Sequence, residues 1–269
     1  MDTFANEKDF KLLEQDKYTF FVLKRILGGD CQLILSDHSR LVICFSCSPF
    51  PVWIWTADDV NEDEMKQAYQ LAMEHGFLDG THRINLKYSL AEYFMKRAKA
   101  EGKKLEILTN MFAYDCPKLV EAPTPTDGYF ALCVEEEREE LAEFMDLMHR
   151  EIGFDQQERS KYLVNADEAI KGKGTFFWKN KEGKNVASCD YGPNGELASI
   201  GLVFTRPEYR RHHYAENLVY QVAKIAKEKG YLPMLYTDAD YKASNACYEK
   251  IGFILRGKLC TIGNPDHYE

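Results

Sequence analysis

Leu202-Val-Phe-Thr-Arg-Pro-Glu-Tyr-Arg-Arg-His-His-Tyr-Ala215 is the stretch on which the reading of this 269-residue chain turns. Its opening residues form an apolar run that reads as a strand. After Pro207, Ala215, Leu218, Val219, Val222, Ile225 and Ala226 recur at the spacing of one helix face. Strand, tight loop and helix make the geometry of an anion site. The helix N-terminus offers unpaired N–H groups and a partial positive charge, and Arg210 and Arg211 add more, so a diphosphate can sit there. Taken alone, basic residues before a helix also describe an ordinary solvated turn.

A second stretch decides between these. Tyr236-Thr-Asp-Ala-Asp-Tyr-Lys-Ala-Ser-Asn-Ala-Cys-Tyr-Glu-Lys-Ile-Gly-Phe253 follows in the order expected of a paired signature. Pro207-Glu-Tyr-Arg-x-x-x-Tyr-Ala215 resembles the pyrophosphate loop of the GNAT N-acetyltransferases, and residues 236–253 resemble that superfamily's second signature. The resemblance is specific over Leu202 to Phe253 and extends in element order to the whole second half, from about Tyr129. It implies an α/β fold with a mixed sheet and acetyl-CoA as cosubstrate, with no metal.

It also implies roles. The backbone of Val203, Phe204 and Thr205 pairs with the pantetheine chain like an added strand and polarises the thioester carbonyl. The amides of Arg210, Arg211, His212, His213, Tyr214 and Ala215 hold the pyrophosphate. Ser244 and Asn245 line the neighbouring wall, and Tyr248 protonates the departing thiolate. Outside the resemblance, Tyr248 also reads as an ordinary core tyrosine before Ile251-Gly-Phe253.

Three positions depart from the family pattern. His213 and Arg211 stand where glycine is usual, and glycine there lets the amides approach the phosphates. His213 still offers its amide if it keeps a helical φ, and a protonated ring favours phosphate. Tyr241 stands where many relatives carry Asn. The base that takes the acceptor's proton is sought among Glu196, Asp190, Asp238 and Asp240. Asp238 is preferred because it follows the strand Pro233 to Thr237 and falls at the sheet's C-terminal end. Each of the four also reads as a cap, turn or surface acid.

Outward from this core, Tyr129 to Val134 reads as a strand, and Leu141, Phe144, Met145, Met148 and Ile152 as the stripe of an amphipathic helix. A helical region follows to Lys171, then strands Thr175–Trp178, Asn185–Cys189 and Leu197–Thr205, with a turn at Gly192-Pro-Asn-Gly195. Glu121-Ala-Pro-Thr-Pro-Thr-Asp-Gly128 reads as a linker, because two prolines remove donors and a glycine ends the stretch. The expected domains are therefore 1–120 and 129–269 with 121–128 between them. In the first, a helix over 7–26 precedes strands Cys31–Ser36, Leu41–Cys47 and Val52–Thr56. A helix containing Met65 to Ala72 follows, then one opened by a Ser89/Glu92 capping box, and a strand from Leu105 to Leu108. That order resembles the same acetyltransferase core, but Trp55-Thr-Ala-Asp-Asp-Val60 contains no glycine-rich loop, so residues 1–120 read as a degenerate, non-catalytic relative. Few residues follow Phe253, and the first half is expected to supply a strand to the second.

Composition sets the outer limits. Hydrophobic residues at 45% and charged residues at 29% describe a globular chain with ample core. No apolar run approaches the ~20 residues that span a bilayer. The start, Met1-Asp-Thr-Phe-Ala-Asn-Glu, lacks a signal peptide's basic and apolar regions, so a cytoplasmic location is expected. A formal charge of -9 with dispersed Lys and Arg speaks against nucleic acid and agrees with a cationic acceptor. Eight scattered cysteines are expected as free thiols, and Cys44-Phe45-Ser46-Cys47 lacks the helix start of a redox motif and any second half of a zinc site. The leading reading is an N-acetyltransferase moving acetyl from acetyl-CoA to a primary amine by direct attack. The alternative is a non-catalytic module of the same fold that binds CoA or a partner. A small amine, an amino acid, an antibiotic and a protein N-terminus all remain open as acceptor.

Overall fold

Asn6 takes the amide of Lys8 on its side chain while Asp9 takes that of Asn6, and this capping pair opens α1 (Glu7–Gln15) in the computed structural model. The structure describes all residues except 121–122, 154–155 and 268–269. The helix expected over 7–26 is two helices, α1 and α2 (Phe21–Ile26). The break falls where Asp16 turns to accept from Trp55 Nε1 (2.7 Å) and Lys87 Nζ (2.8 Å). A tertiary bond network there replaces helix continuation.

The chain forms two compact units, Met1–Ala113 with Tyr236–Asp240 and Arg256–Glu269, and Tyr114–Leu235 with Tyr241–Leu255. In the first, β1 (Leu33–Ser36), β2 (Leu41–Phe45) and β3 (Val52–Thr56) are antiparallel neighbours, with Ile34 opposite Cys44 and Ile43 opposite Ile54. Next come α3 (Glu62–Glu74), β4 (Ile84–Leu86), α4 (Tyr88–Ala100) and β5 (Glu106–Asp115), longer than the strand expected at 105–108. β4 runs parallel to β3 and antiparallel to β11 (Ile254–Gly263) through Cys260 and Leu86. Apolar residues alternate to the two faces. Ile43, Ile54 and Ile84 meet Ala68, Leu90 and Phe94 of α3 and α4, while Val42, Trp53 and Trp55 meet Leu13, Phe20 and Leu23. The capping box expected at Ser89 is absent. α4 starts two residues earlier behind Lys87, whose ammonium is held by Asp16 and Asp58, and no side chain caps it.

The second unit repeats the order of the first. β6 (Tyr129–Leu132) leads to α5 (Arg138–Glu151), α6 (Arg159–Gly172), β7 (Thr175–Lys179), β8 (Asn185–Asn194), β9 (Leu197–Thr205), α7 (Tyr214–Glu228), β10 (Leu232–Asp238) and α8 (Lys242–Ile251). The strands lie β6-β7-β8-β9-β10, antiparallel except for the β9–β10 pair. β8 runs on to Asn194, so the hairpin turns at Gly195, with φ +61, rather than across 192–195. Beside β10 on its other edge lies the end of β5, where Cys116 N donates to Pro233 O (2.9 Å). The first half of the chain thus supplies backbone to this sheet.

The two faces of this sheet are distinct. Phe177, Ser188 and Phe204 are cross-strand neighbours on the face covered by Leu141 and Phe144 of α5 and Tyr162 of α6. Phe176 and Tyr191 stack on the other face, toward α7, where Lys229 lies over the Tyr191 ring. Leu218, Val219, Val222 and Ala226 of α7 are fully buried, as its stripe predicts, and so is Ala223 outside it, while Ala215 and Ile225 of the stripe are half-buried. All eight cysteines are free thiols, and no helix among the described residues is long and apolar enough to cross a membrane.

Candidate functional site

β9 and β10 run parallel for three residue pairs, Leu197 with Leu232, Ala198 with Pro233 and Ser199 with Met234, and then part. Among the described residues, beyond Ser199 the strand keeps only its β8 neighbour, and there it bulges. Ser188 faces Phe204 and Asp190 faces Gly201, so two steps on β8 are met by three on β9. Leu202 absorbs the extra residue at φ +48, a left-handed conformation that costs an L-residue about 1–2 kcal/mol. Its carbonyl is held by Ser188 Oγ at 2.8 Å. A fixed bulge in a parted strand leaves backbone polar groups without a ladder partner, as needed to receive an extended amide chain.

The three expected strand residues lie just past this point. Val203 and Thr205 are half-buried. Phe204 is buried edge-on to Phe144, with the Arg210 guanidinium over its other side at 5.8 Å. Its side chain is core, and only its backbone is left to offer. Arg206 then lies between Glu140 and Glu143 over the Phe144 ring, holding the strand end to α5. Arg210 Nε donates to Thr205 O (3.2 Å) and its guanidinium pairs with Glu151, so this side chain braces the loop.

The loop itself is wound for anions. Arg211 and His213 both have left-handed backbones, φ +68 and +61, the conformation glycine favours. The helical φ considered for His213 is therefore not what it adopts. The Arg211 side chain is exposed, and the His213 ring, also largely exposed, turns its Nδ1 onto Glu216. His212 stacks on Tyr214 at 5.4 Å, and Ala215 is half-buried in the first turn. Among the described residues the amides of 211–216 meet no acceptor, and no side chain caps α7. These are the orphan donors of a helix start, gathered in one turn. The corresponding turn of the first unit is closed: Asn61 and Glu64 cap each other's amides at the start of α3, with Glu62 and Asp63 beside them.

Behind the loop lies a polar cluster that sequence reasoning missed. Glu216, with 7% of its side chain exposed, accepts from Thr124 N (2.7 Å), Lys250 Nζ (2.8 Å) and His213 Nδ1 (2.9 Å). Burial alone would raise its pKa, but Lys250, the Thr124 amide and the His213 ring hold it down to about 2. Asn217 Nδ2 bonds the carbonyls of Thr124 and His213, Thr126 Oγ1 donates to His212 O, and Tyr214 OH donates to Asp127. The segment read as a linker thus straps the start of α7; its residues 121 and 122 lie outside the described residues. Glu216 three residues into the helix was the legible signal, since an acid there favours a helix N-terminus.

On α8, Tyr241 is the exposed N-cap residue, and the amides of Ser244 and Asn245 bond back to its carbonyl. Asn245 and Tyr248 are buried. Tyr248 packs edge-on to Phe253 at 5.9 Å, with Ser244, Cys247 and Cys189 nearby. Burial pushes its hydroxyl far above the usual phenol range, so it stays protonated at neutral pH. Of the carboxylates, Asp238 is exposed, accepts from Asp240 N (2.9 Å) as a turn cap and belongs to the first unit. Asp240 accepts from Asn110, and Glu196 is exposed at the hairpin tip. Asp190 lies against Gly201, beside the bulge. No group of three or more His, Cys, Asp or Glu among the described residues is placed to hold a metal ion.

Residues 134–253 match the model of the acetyltransferase (GNAT) family. No curated protein sequence matches the chain. Among solved structures, it is similar to a GNAT-family acetyltransferase from Colwellia psychrerythraea at 10% identity and TM-score 0.60, covering 98% of both chains. A GCN5-related N-acetyltransferase from Sphaerobacter thermophilus aligns at 12% and 0.63, over 85% of this chain and 81% of that one. One from Kribbella flavida aligns at 15% and 0.61, over 91% and 93%. Identities this low speak for the fold alone, which here extends over nearly the whole chain. With the parted strands and the open helix start lying inside the matched segment, residues 134–253 form a domain of the acetyltransferase (GNAT) family, whose class of chemistry is acyl transfer.

Proposed function

We propose that the protein is an N-acetyltransferase of the cytoplasm that moves the acetyl group of acetyl-CoA directly to a primary amine. The observation that carries this reading is the run from the parted bulge at Leu202 to the unpaired amides of 211–216, within one strand, one loop and one helix start. The diphosphate binds the amides, the pantetheine arm lies along Val203 to Thr205, and the acetyl carbonyl comes to the bulge, where backbone donors stabilise the oxyanion. Ser244 and Asn245 flank the cofactor. Tyr248, protonated and near Cys189 of β8, hands its proton to the CoA thiolate as the tetrahedral adduct collapses.

The left-handed Arg211 and His213 support donor binding more than a non-catalytic module. They reproduce glycine's backbone, with the Arg211 side chain exposed and the His213 ring held aside by Glu216. The first unit carries no donor site in this reading, because the start of α3 is capped and acidic. The test is thiol release from acetyl-CoA in the presence of pooled primary amines. Release that depends on both partners is expected, and absence of release with tight CoA binding retained would favour the binding module.

A further inference from the structure

The face of the sheet opposite Tyr248 carries a polar niche beside the bulge. Along β8, Ser188, Asp190 and Gly192 alternate onto the face that Phe177 shares with α5 and α6, while Cys189 and Tyr191 point to the other. Opposite them on β9 stand Phe204, Gly201 and Ser199. Asp190 Oδ1 lies 2.7 Å from where a Cβ on Gly201 would be, so the carboxylate occupies space that only glycine leaves free. A Cβ on Gly192 would meet nothing within 4 Å, so the niche is roofless at that point. Ser199 Oγ, at the last pair before β9 and β10 part, is buried and has no hydrogen-bond partner among the described residues.

A carboxylate and an unsatisfied hydroxyl, diagonal neighbours on one face and floored by two glycines, suit a small cation with N–H groups to donate. We infer that Asp190 and Ser199 receive the acceptor's ammonium group, and that Asp190 takes its proton before attack at the bulge. This rests on the acetyl-transfer reading above, and it places the base on the opposite face of β9 from Tyr248. The amine then approaches one face of the carbonyl from the Asp190 side, and the tetrahedral adduct releases the sulfur toward Tyr248.

The step balances. One ammonium proton goes to Asp190 and on to water, and the free amine forms the C–N bond. As the adduct collapses, the C–S bond breaks, Tyr248 protonates the sulfur, and the second N–H proton leaves to water, from which Tyr248 is reprotonated. Asp238 takes no part.

The experiment compares wild type with D190N, G201A and S199A, each checked for fold by circular dichroism. Thiol release is followed against pH with a pool of alkylamines, arylamines and free amino acids, and acetyl-CoA binding is read from the melting temperature. D190N is expected to lose about 100-fold or more in kcat/KM and the pH-dependent limb belonging to the base, with its acetyl-CoA shift intact. G201A, which keeps the carboxylate but displaces it, is expected to fall between D190N and wild type. S199A should raise KM for the amine about five-fold, the loss of one hydrogen bond, with little change in kcat. Wild-type release that D190N matches within three-fold across pH overturns the inference and leaves the acetyl-transfer reading standing. No wild-type release with any amine overturns that reading, and this inference with it.

Discussion

Replacing Glu216 by Gln should weaken the protein in a way that pH exposes. The carboxylate is buried against Lys250, the Thr124 amide and the His213 ring, and its pKa is about 2 when folded against an ordinary 4.5. A depressed folded pKa means that the stabilisation is complete above the unfolded value and is lost as pH falls toward 2. A shift of that size corresponds to about 3 kcal/mol, reduced to about 2 because Lys250 is half in water. Gln keeps an oxygen for the Thr124 amide but removes the charge, so E216Q should be about 2 kcal/mol less stable than wild type at pH 7. By pH 3 the gap should shrink to about half, because the wild-type carboxylate is then protonating on unfolding. Urea denaturation of both proteins at the two pH values measures this. A gap equal at both, or no gap at pH 7, would refute the view that an ionised Glu216 braces the loop.

Three further outcomes follow from the same geometry. At residue 213, where φ is +61, H213G should be about 1 kcal/mol more stable than H213A by urea denaturation, since only the alanine carries the left-handed penalty. G252A should cost several kcal/mol, because residue 252 has φ +116 and its Cβ would lie 2.3 Å from Lys118 O; a melting temperature within a degree of wild type would contradict this. Y248F should lower kcat by at least ten-fold and leave acetyl-CoA affinity unchanged, and a loss of affinity alone would assign Tyr248 to binding.

Much of this was legible because local chemistry and tertiary fold agree in the second half. The stripe from Leu141 to Met148, the turn near Gly195 and the strand-loop-helix run at 202–226 each carry their period or punctuation in adjacent residues, whereas Ile152, expected in that stripe, is the exposed C-cap residue. The failures fall where a distant partner decides. Asp16 leaves the helical path for Trp55 and Lys87, and Lys87, not Ser89, ends up ahead of α4. The bulge was invisible because nothing in Ile200-Gly-Leu-Val203 marks which residue will be extra; it depends on β8 pairing across it. His213 looked like an obstacle because residue type suggests a conformation but does not dictate it. Its left-handed backbone is held by a ring bond to Glu216 and a carbonyl bond to Asn217. Gly201 did carry a signal, a glycine inside a strand, whose meaning appeared only when Asp190 was found against it.

The measurement closest to the central claim is amide hydrogen exchange with and without millimolar acetyl-CoA, read over residues 200–217. Binding at the open helix start predicts strong protection of 203–205 and 211–216 and a raised melting temperature, with the start of α3 unchanged. Unchanged exchange across 211–216, with no shift in melting temperature, would contradict it.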